Sequence, residues 1–246
     1  MSELCFVWGS VLDAIVDRPS DGSACADDLV FVAPAYLPDS DAGSETGVEL
    51  ARSVGHVVPG ALFRATGRGL ARIAEAADRD ALRGEIIVLT ADGEAHVATA
   101  LYVERDPARS SSSIALLPPV FVYGTLRADE ERHEVMVRHQ PRSVLASTTV
   151  GRLLDFGEYP GLVLTTDRHA IVRGELYDYE ALSSLLLELD AIEEFFGYGA
   201  TDSLYRRVLV RARASGAEDS LAWVYVYSGD VSGANVIATG DWRRRS

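Results

Sequence analysis

A chain of 246 residues that is 48% hydrophobic and 24% charged is apolar enough to fold, and long enough for one large domain or two small ones. Its formal net charge of −14 argues against binding to nucleic acid or to an anionic membrane, because such surfaces require clustered cations. The apolar runs are far shorter than the roughly 18 residues of a membrane span, and the two cysteines, Cys5 and Cys25, form no disulfide framework, so we expect a soluble cytoplasmic protein.

The first half begins with an apolar strand that runs into a turn of small residues, Phe6-Val7-Trp8-Gly9-Ser10. A second glycine, Gly60, follows 51 residues after Gly9. Apolar positions with the spacing of an amphipathic helix come next, at Leu70, Ile73 and Ala77. Segments rich in β-branched residues then predict hairpins. This half is expected to form a small β-barrel or curled sheet with one main helix.

A polar and proline-rich stretch separates the two halves of the chain. Ser110 to Ser113 are followed by Pro118-Pro119, and such a polar and proline-containing composition is typical of a linker. We therefore expect one domain over residues 1–113 and a second over residues 118–246.

The second half repeats the pattern of the first. An apolar strand enters the turn Tyr123-Gly124-Thr125-Leu126, and Gly174 follows 50 residues after Gly124. A helical stripe and two β-rich segments come next, with the stripe at Leu182, Leu185, Leu186 and Leu189. The sequence thus predicts an α+β protein built as a tandem repeat, in which each copy is a small mixed β-barrel with one main helix.

Glu193 is the leading candidate for a catalytic group. It lies four residues after Leu189 and seven after Leu186, so a helix that continued this far would place its side chain in the apolar stripe. Burial of a carboxylate raises its pKa, which suits a group that accepts and returns a proton near neutral pH. The alternative is that the helix ends before Glu193 and leaves it exposed. The neighbouring acidic residues are predicted to point elsewhere: Glu188, Asp190 and Glu194.

The turn at Tyr123-Gly124-Thr125-Leu126 complements this carboxylate. A glycine directly after a strand lets the backbone bend closely around a ligand, and consecutive N–H groups in such a turn can hold a carboxylate or an oxyanion. An ordinary strand end has a similar sequence, so the turn alone is weak evidence for a binding site. Its combination with Glu193 strengthens that interpretation.

Together these residues resemble the γ-glutamyl cyclotransferase-like superfamily, which includes γ-glutamylamine cyclotransferases and the γ-glutamyl cyclotransferase of the butirosin pathway. The resemblance rests on five motifs in order: Phe121-Val122-Tyr123-Gly124-Thr125-Leu126-Arg127, Tyr159-Pro160-Gly161-Leu162-Val163, Val172-Arg173-Gly174-Glu175-Leu176-Tyr177, Leu189-Asp190-Ala191-Ile192-Glu193 and Leu204-Tyr205-Arg206-Arg207-Val208.

The resemblance implies an acyltransferase that catalyses intramolecular aminolysis of a γ-glutamyl amide, releasing 5-oxoproline and a free amine or amino acid. It implies Glu193 as the proton acceptor and the turn at Gly124 as the binding site for the γ-glutamyl group, without metal or cofactor. Tyr123 and Tyr205 are candidate wall and hydrogen-bonding residues, with a purely structural role as the alternative for each. The partner is then a small γ-glutamyl compound, and one possible role is removal of a γ-glutamyl protecting group in natural-product biosynthesis.

The first half resembles the same fold without its functional pattern. Ile73-Ala74-Glu75-Ala76-Ala77 stands where the second half has Leu-Asp-x-x-Glu, and Leu82-Arg83 stands in place of Tyr-Arg. Glu75 is two residues out of register and on another helix face. We therefore expect the first half to be a degenerate, inactive copy.

Other readings stay open on the sequence alone. A non-catalytic ligand-binding or assembly protein on the same fold is one, and a different acyl transfer in the same pocket is another. The five histidines have no metal-ligand spacing. The basic end, Arg243-Arg244-Arg245, is expected to be a solvated terminus. The leaving amine, the choice between a biosynthetic and a scavenging role, and the oligomeric state are left undetermined.

Overall fold

The computed structural model describes residues 3–8, 12, 29–40, 52–76, 82–102, 116–198, 200–216 and 218–245. The chain divides into two compact units, Met1–Thr90 with Glu94–Leu117 and Ala91–Gly93 with Pro118–Ser246. Within the described ranges, no helix is both long and apolar enough to cross a membrane. Cys5 is buried, and Cys25 lies outside the described residues.

The first unit contains a closed five-stranded barrel with a helix between its third and fourth strands. Its elements are β1 (Glu3–Trp8), β2 (Leu29–Ser40), β3 (Arg52–Ala65), α1 (Gly67–Ala76), β4 (Leu82–Thr90) and β5 (Ala95–Tyr102). The strands close in the order β1-β3-β2-β4-β5, and only the closing pair of β1 with β5 is parallel among the described pairs. Apolar side chains that alternate along these strands fill the interior, among them Phe6, Val58, Leu62 and Val88.

The second unit also contains a closed five-stranded barrel. Its elements are β6 (Val120–Val122), α2 (His133–Arg138), β7 (Ser143–Val150), β8 (Arg152–Asp155), β9 (Pro160–Val163), β10 (Ile171–Asp178), α3 (Ser183–Ile192), β11 (Tyr205–Ala214), β12 (Asp219–Tyr227), β13 (Asn235–Val236) and a 3₁₀ turn (Trp242–Arg244). The barrel order is β6-β10-β7-β11-β12, and β12 runs parallel to β6. Strands β8, β9 and β13 form a separate three-stranded sheet.

The two barrels share one strand order. Counted from the first strand of each barrel, the order is first, third, second, fourth, fifth, closed by a parallel pair. The main helix of each unit, α1 or α3, directly precedes the fourth barrel strand. The prediction of mixed β-barrels with few helices is therefore confirmed, and duplication of an ancestral unit is proposed below.

Gly174 and Gly60 occupy the same kind of position in the two barrels, where two strands approach closely. A Cβ on Gly174 would lie 2.6 Å from the ring of Phe121 and against the carbonyl oxygen of Val122. A Cβ on Gly60 would likewise lie 2.6 Å from the ring of Phe6 and from the carbonyl oxygen of Val7. In each barrel a glycine therefore lies against the phenylalanine ring and the valine carbonyl of the first strand, because only glycine leaves room for both.

Replacing Gly174 with Ala is expected to lower the free energy of unfolding of the second unit by about 1–3 kcal/mol, because a methyl group must push apart the backbone of β6 and the Phe121 ring. Denaturant unfolding followed by the fluorescence of the buried Trp223 and Trp242 measures this change. Thr166→Ala at an exposed position in the same unit is the matched control. An unchanged midpoint for Gly174→Ala would contradict the packing argument.

The end of the chain makes contacts that the prediction of a solvated basic terminus did not include. Trp242 is buried in the barrel core, and this anchors Arg243 against the loop after β6. The Arg243 guanidinium donates to the backbone oxygen of Ala128 and, at 3.1 Å, to Glu130. All three arginines are exposed, as expected, and Arg244 is more open than Arg243, with 78% of its side chain accessible. The fixed contacts of Arg243 were not predicted, because the burial of a tryptophan decides where its charged neighbours lie.

The same region holds the turn after β6 in place. Arg127 is buried and lies 2.7 Å from Asp241, while the backbone N–H of Ala128 donates to the carboxylate of Glu175 at 2.7 Å. Charge-assisted hydrogen bonds between buried groups are strong and directional. The loop that begins at Gly124 is thereby tied to β10 and to the end of the chain.

Candidate active site

A pocket of about 150 Å³ opens at one end of the second barrel. Its walls come from the turn after β6, the segment after α3, and the starts of β9 and β11. All six residues singled out from the sequence line it: Tyr123, Gly124, Thr125, Leu126, Glu193 and Tyr205. Residues more than 80 positions apart in the chain therefore meet in one cavity.

Glu193 lies just beyond the helix that carries the apolar stripe. Helix α3 ends at Ile192, and Glu193 is its C-cap, with its N–H donating to the carbonyl of Leu189 at 2.8 Å. The stripe residues Leu185, Leu186 and Leu189 are fully buried, as predicted. The helix thus ends before Glu193, as in the alternative, yet the side chain is turned into the pocket rather than into solvent.

The environment of Glu193 favours its neutral form. Burial raises the pKa of Glu193 to about 7, and the nearby Arg132 opposes this rise. The carboxylate has no hydrogen-bond or ion-pair partner among the described residues, and the residue remains partly accessible through the pocket. A reachable carboxyl group that titrates near neutral pH is able to accept and return a proton under ordinary conditions.

Asp190 fixes the end of this helix from inside the protein. Its carboxylate accepts a 2.6 Å hydrogen bond from the Tyr225 hydroxyl and lies 3.3 Å from the guanidinium of Arg207. Arg207 is almost fully buried, with aromatic rings on its faces that include Phe195 and Trp223. Asp190 is not among the residues that line the pocket, and helical periodicity carries no information about its partners, which come from β11 and β12.

The segment after α3 is also joined to β11. The N–H of Leu204 donates to the carbonyl of Glu194 at 3.2 Å, and the N–H of Tyr205 donates to that of Glu193 at 3.3 Å. Glu194 adopts a left-handed backbone with φ of 52°, and it lines the pocket, contrary to the prediction. Glu188 does point away, toward Arg138 and His139.

The turn after β6 presents unused backbone donors to the pocket. The carbonyl of Gly124 accepts from the N–H of Arg127 at 3.1 Å, and that of Thr125 accepts from Arg132 at 2.8 Å. The N–H groups of Gly124, Thr125 and Leu126 have no acceptor within the described part of the chain. Three neighbouring donors in a pocket wall form a cradle for a carboxylate or an oxyanion. A Cβ on Gly124 would lie 2.5 Å from the Pro160 ring, so a larger residue would push the turn out of place.

The hydroxyl groups of the two predicted tyrosines donate hydrogen bonds to backbone carbonyls. Tyr123 donates to the carbonyl of Tyr225 at 2.8 Å, and Tyr205 donates to that of Pro160 at 2.8 Å. Burial raises the pKa of both tyrosines well above the usual range, so both are neutral at any ordinary pH. Their rings form the wall of the pocket, and their hydroxyl groups brace it.

Several lining residues were missed from the sequence: Arg132, Tyr159, Pro160 and Tyr225. Tyr159 and Pro160 belong to one of the family motifs, which could have identified them as lining residues. Arg132 lies in an acidic loop, and no sequence pattern pointed to it. Among the residues that the structure describes, no cluster of His, Cys, Asp and Glu could hold a metal ion.

Residues 120–244 match the sequence model of the family described as gamma-glutamyl cyclotransferase, AIG2-like, and the chain belongs to this family. The predicted family resemblance is thereby confirmed. The match lies within the unit that contains the pocket.

Individual relatives agree with this assignment. The chain is 40% identical over 115 residues to the gamma-L-glutamyl-butirosin B gamma-glutamyl cyclotransferase of Niallia circulans, covering 46% of this chain and 69% of that protein. It is 31% identical over 128 residues to the gamma-glutamylcyclotransferase family protein YtfP of Escherichia coli K12, covering 51% and 96%. It is also similar to the crystal structure of YkqA from Bacillus subtilis, at 14% identity and a TM-score of 0.43, over 94% of this chain and 85% of that one. So low a TM-score carries no argument, and the assignment rests on the sequence matches.

Proposed function

We propose that the second unit is a γ-glutamyl cyclotransferase that releases 5-oxoproline and a free amine or amino acid from a γ-glutamyl amide. The observation that carries this proposal is the pairing, in one pocket, of the Glu193 carboxyl with the unused N–H groups of Gly124, Thr125 and Leu126. A proton acceptor and an anion cradle are the two devices that intramolecular aminolysis of an amide requires.

The substrate supplies both the nucleophile and the electrophile of this reaction. Its neutral α-amine attacks the γ-carbonyl carbon and forms the C–N bond of a five-membered ring, while Glu193 takes the proton that the attacking nitrogen loses. The amide C–N bond then breaks, its electron pair leaves with the departing nitrogen, and Glu193 returns the proton to that nitrogen. Protons balance over the cycle, and the protein's main contribution besides proton transfer is to fold the substrate into the ring-closing geometry.

A pKa of about 7 suits Glu193 to both halves of the cycle. A carboxylate with an ordinary pKa would be a weak base toward the amine, and a far more basic group would hold the proton too firmly to return it. The rings of Tyr123 and Tyr205 line the pocket and limit access of water, which favours ring closure over hydrolysis.

We also propose that the first unit is a degenerate copy of the second. The shared strand order, the matching helix position and the matching pair of glycines at Gly60 and Gly174 support a duplication. The position that corresponds to Glu193 is Ala77, which lies outside the described residues together with the turn at residues 9–11. Glu75, the nearest carboxylate in the sequence of α1, is exposed.

Glu75→Gln is accordingly expected to change kcat/KM by less than about twofold, because an exposed carboxylate on the far face of α1 has no role in proton transfer. Rates of 5-oxoproline release by the full chain with and without the substitution measure this. A loss of tenfold or more would overturn the interpretation of the first unit as inactive.

The proposed function is tested by incubating the purified full chain with a panel of γ-glutamyl amides and measuring 5-oxoproline by mass spectrometry. The panel includes γ-glutamyl-butirosin B, the compound in the name of the Niallia relative, and simple γ-glutamyl amines and amino acids. Release from the capped biosynthetic compound alone would indicate removal of a protecting group, and release across the amino acids would indicate scavenging. Binding without product would favour a non-catalytic protein, and incorporation of an added amine would indicate a different acyl transfer.

A further inference from the structure

Arg132 is a pocket residue whose charge is left unused by the mechanism above. It precedes α2, and its backbone N–H is anchored to the carbonyl of Thr125 at 2.8 Å. It supplies the one cation among the pocket-lining residues of the described chain, which also include two carboxylates, Glu193 and Glu194. Its guanidinium forms no ion pair and no side-chain hydrogen bond with the residues that the structure describes. Arg138, at the end of α2, is instead bonded to Glu188.

Arg132 is exposed, and its guanidinium has no anionic partner among the residues that the structure describes. The formal net charge is −14, with 37 acidic residues against 23 arginines, so carboxylates are abundant. The two buried arginines of the second unit are paired, Arg127 with Asp241 and Arg207 with Asp190. Arg132 differs from them because it lines the pocket. Arg132 thus offers a planar, five-donor group to the pocket, of the kind that binds carboxylates in a bidentate manner.

The location of this charge matches one group of a γ-glutamyl substrate. Arg132 and Glu193 line the same pocket, and the positive charge of Arg132 opposes the raised pKa of Glu193. In every γ-glutamyl amide the α-amine and the α-carboxylate are attached to the same carbon atom. A cation in the pocket of the proton acceptor is therefore available to the α-carboxylate when the amine is in place.

We propose that Arg132 binds the α-carboxylate of the γ-glutamyl group, an inference that rests on the proposed function. This assignment leaves the N–H groups of Gly124, Thr125 and Leu126 to the oxyanion that forms at the γ-carbonyl. It also offsets charge, because the substrate carboxylate would otherwise enter a pocket that already contains Glu193 and Glu194. Arg132 is then a specificity residue for γ-glutamyl compounds over simple amides.

The test uses a matched pair of substrates, a γ-glutamyl amide and its analogue in which the α-carboxylate is a carboxamide. Arg132→Gln should lower kcat/KM about 10- to 100-fold for the carboxylate substrate, the range of a charge-assisted hydrogen-bonded pair. For the carboxamide the change should stay within about threefold, since no charge is lost there. Arg132→Lys should recover part of the loss. Arg138→Gln, whose side chain is 56% exposed and lies outside the pocket, is the control and should change neither rate.

A structural role for Arg132 predicts a different outcome. Equal losses on both substrates, or no loss on either, would overturn the inference. As a second readout, the pH–rate profile of Arg132→Gln should shift to higher pH, because the positive charge that opposes the raised pKa of Glu193 is gone.

Failure of the proposed function can be told apart from failure of this inference. If the unmodified chain releases no 5-oxoproline from any amide, the proposed function fails. Calorimetric binding of the same two ligands then still tests Arg132. A preference of the unmodified chain for the carboxylate ligand that disappears in Arg132→Gln supports the inference, and an unchanged preference overturns it.

Discussion

Glu193→Gln is expected to lower kcat/KM for 5-oxoproline release by about 10²–10⁴-fold, the range contributed by a positioned general acid–base group. The amide keeps the size of the side chain and fits the same pocket, so the loss comes from proton transfer. Glu194, the other carboxylate that lines the pocket in the described part of the chain, is exposed, and the hydroxyl groups of Tyr123 and Tyr205 donate to backbone carbonyls. We therefore expect none of these groups to substitute for Glu193.

The measurement is single-substrate kinetics on the full chain, with circular dichroism to verify the fold. Glu180→Gln, an exposed carboxylate before α3, is the matched control and should retain the unmodified rate. Full activity in Glu193→Gln would contradict the assignment of Glu193 as the proton acceptor. In the unmodified chain, kcat/KM should rise as pH increases through about 7, because Glu193 loses its proton over this range.

The same substitution is expected to stabilise the second unit at alkaline pH. Burial raises the pKa of Glu193 from 4.5 to about 7, so the folded state binds a proton more tightly than the unfolded state. The unmodified protein therefore loses stability as pH rises from about 4.5 to about 7, and the loss is complete above pH 7. At about 1.4 kcal/mol for each pH unit, the loss is about 3.5 kcal/mol, which Gln at this position avoids.

Denaturant unfolding at pH 5 and pH 8 tests this, with Trp223 and Trp242 as probes of the second unit. The stability difference between Glu193→Gln and the unmodified chain should be small at pH 5 and near its maximum at pH 8. A variant that is no more stable than the unmodified chain at pH 8 would show that Glu193 pays no desolvation penalty. Such a result would remove the physical reason for its raised pKa.

Features encoded by local periodicity were predictable. The stripe of leucines in α3 and the strand that ends at Tyr123 follow from residue spacing, because a helix or strand repeats its buried positions at a fixed interval. The five ordered motifs were sufficient to predict the family. The mixed β-barrel follows from alternating apolar strands divided by glycine turns.

Features decided by contacts between distant parts of the chain were not predictable. The role of Asp190 depends on Arg207 and Tyr225, which belong to strands β11 and β12. The place of Arg243 depends on the burial of Trp242, and its partners lie more than 100 residues earlier. In each case a charged group takes the partner that the fold brings to it.

Glu193 shows most clearly which features follow from the sequence and which depend on the tertiary structure. Its spacing from Leu186 and Leu189 was sufficient to predict that its side chain faces the interior, although the helix that generates this spacing ends one residue earlier. Sequence by itself determined the residue type and its approximate direction. Tertiary structure decided the rest, because the backbone of Glu193 is held by Tyr205 and its carboxyl is enclosed by a turn some 70 residues away. Desolvation depends on everything that surrounds a group, and for Glu193 those surroundings exist only in the folded barrel.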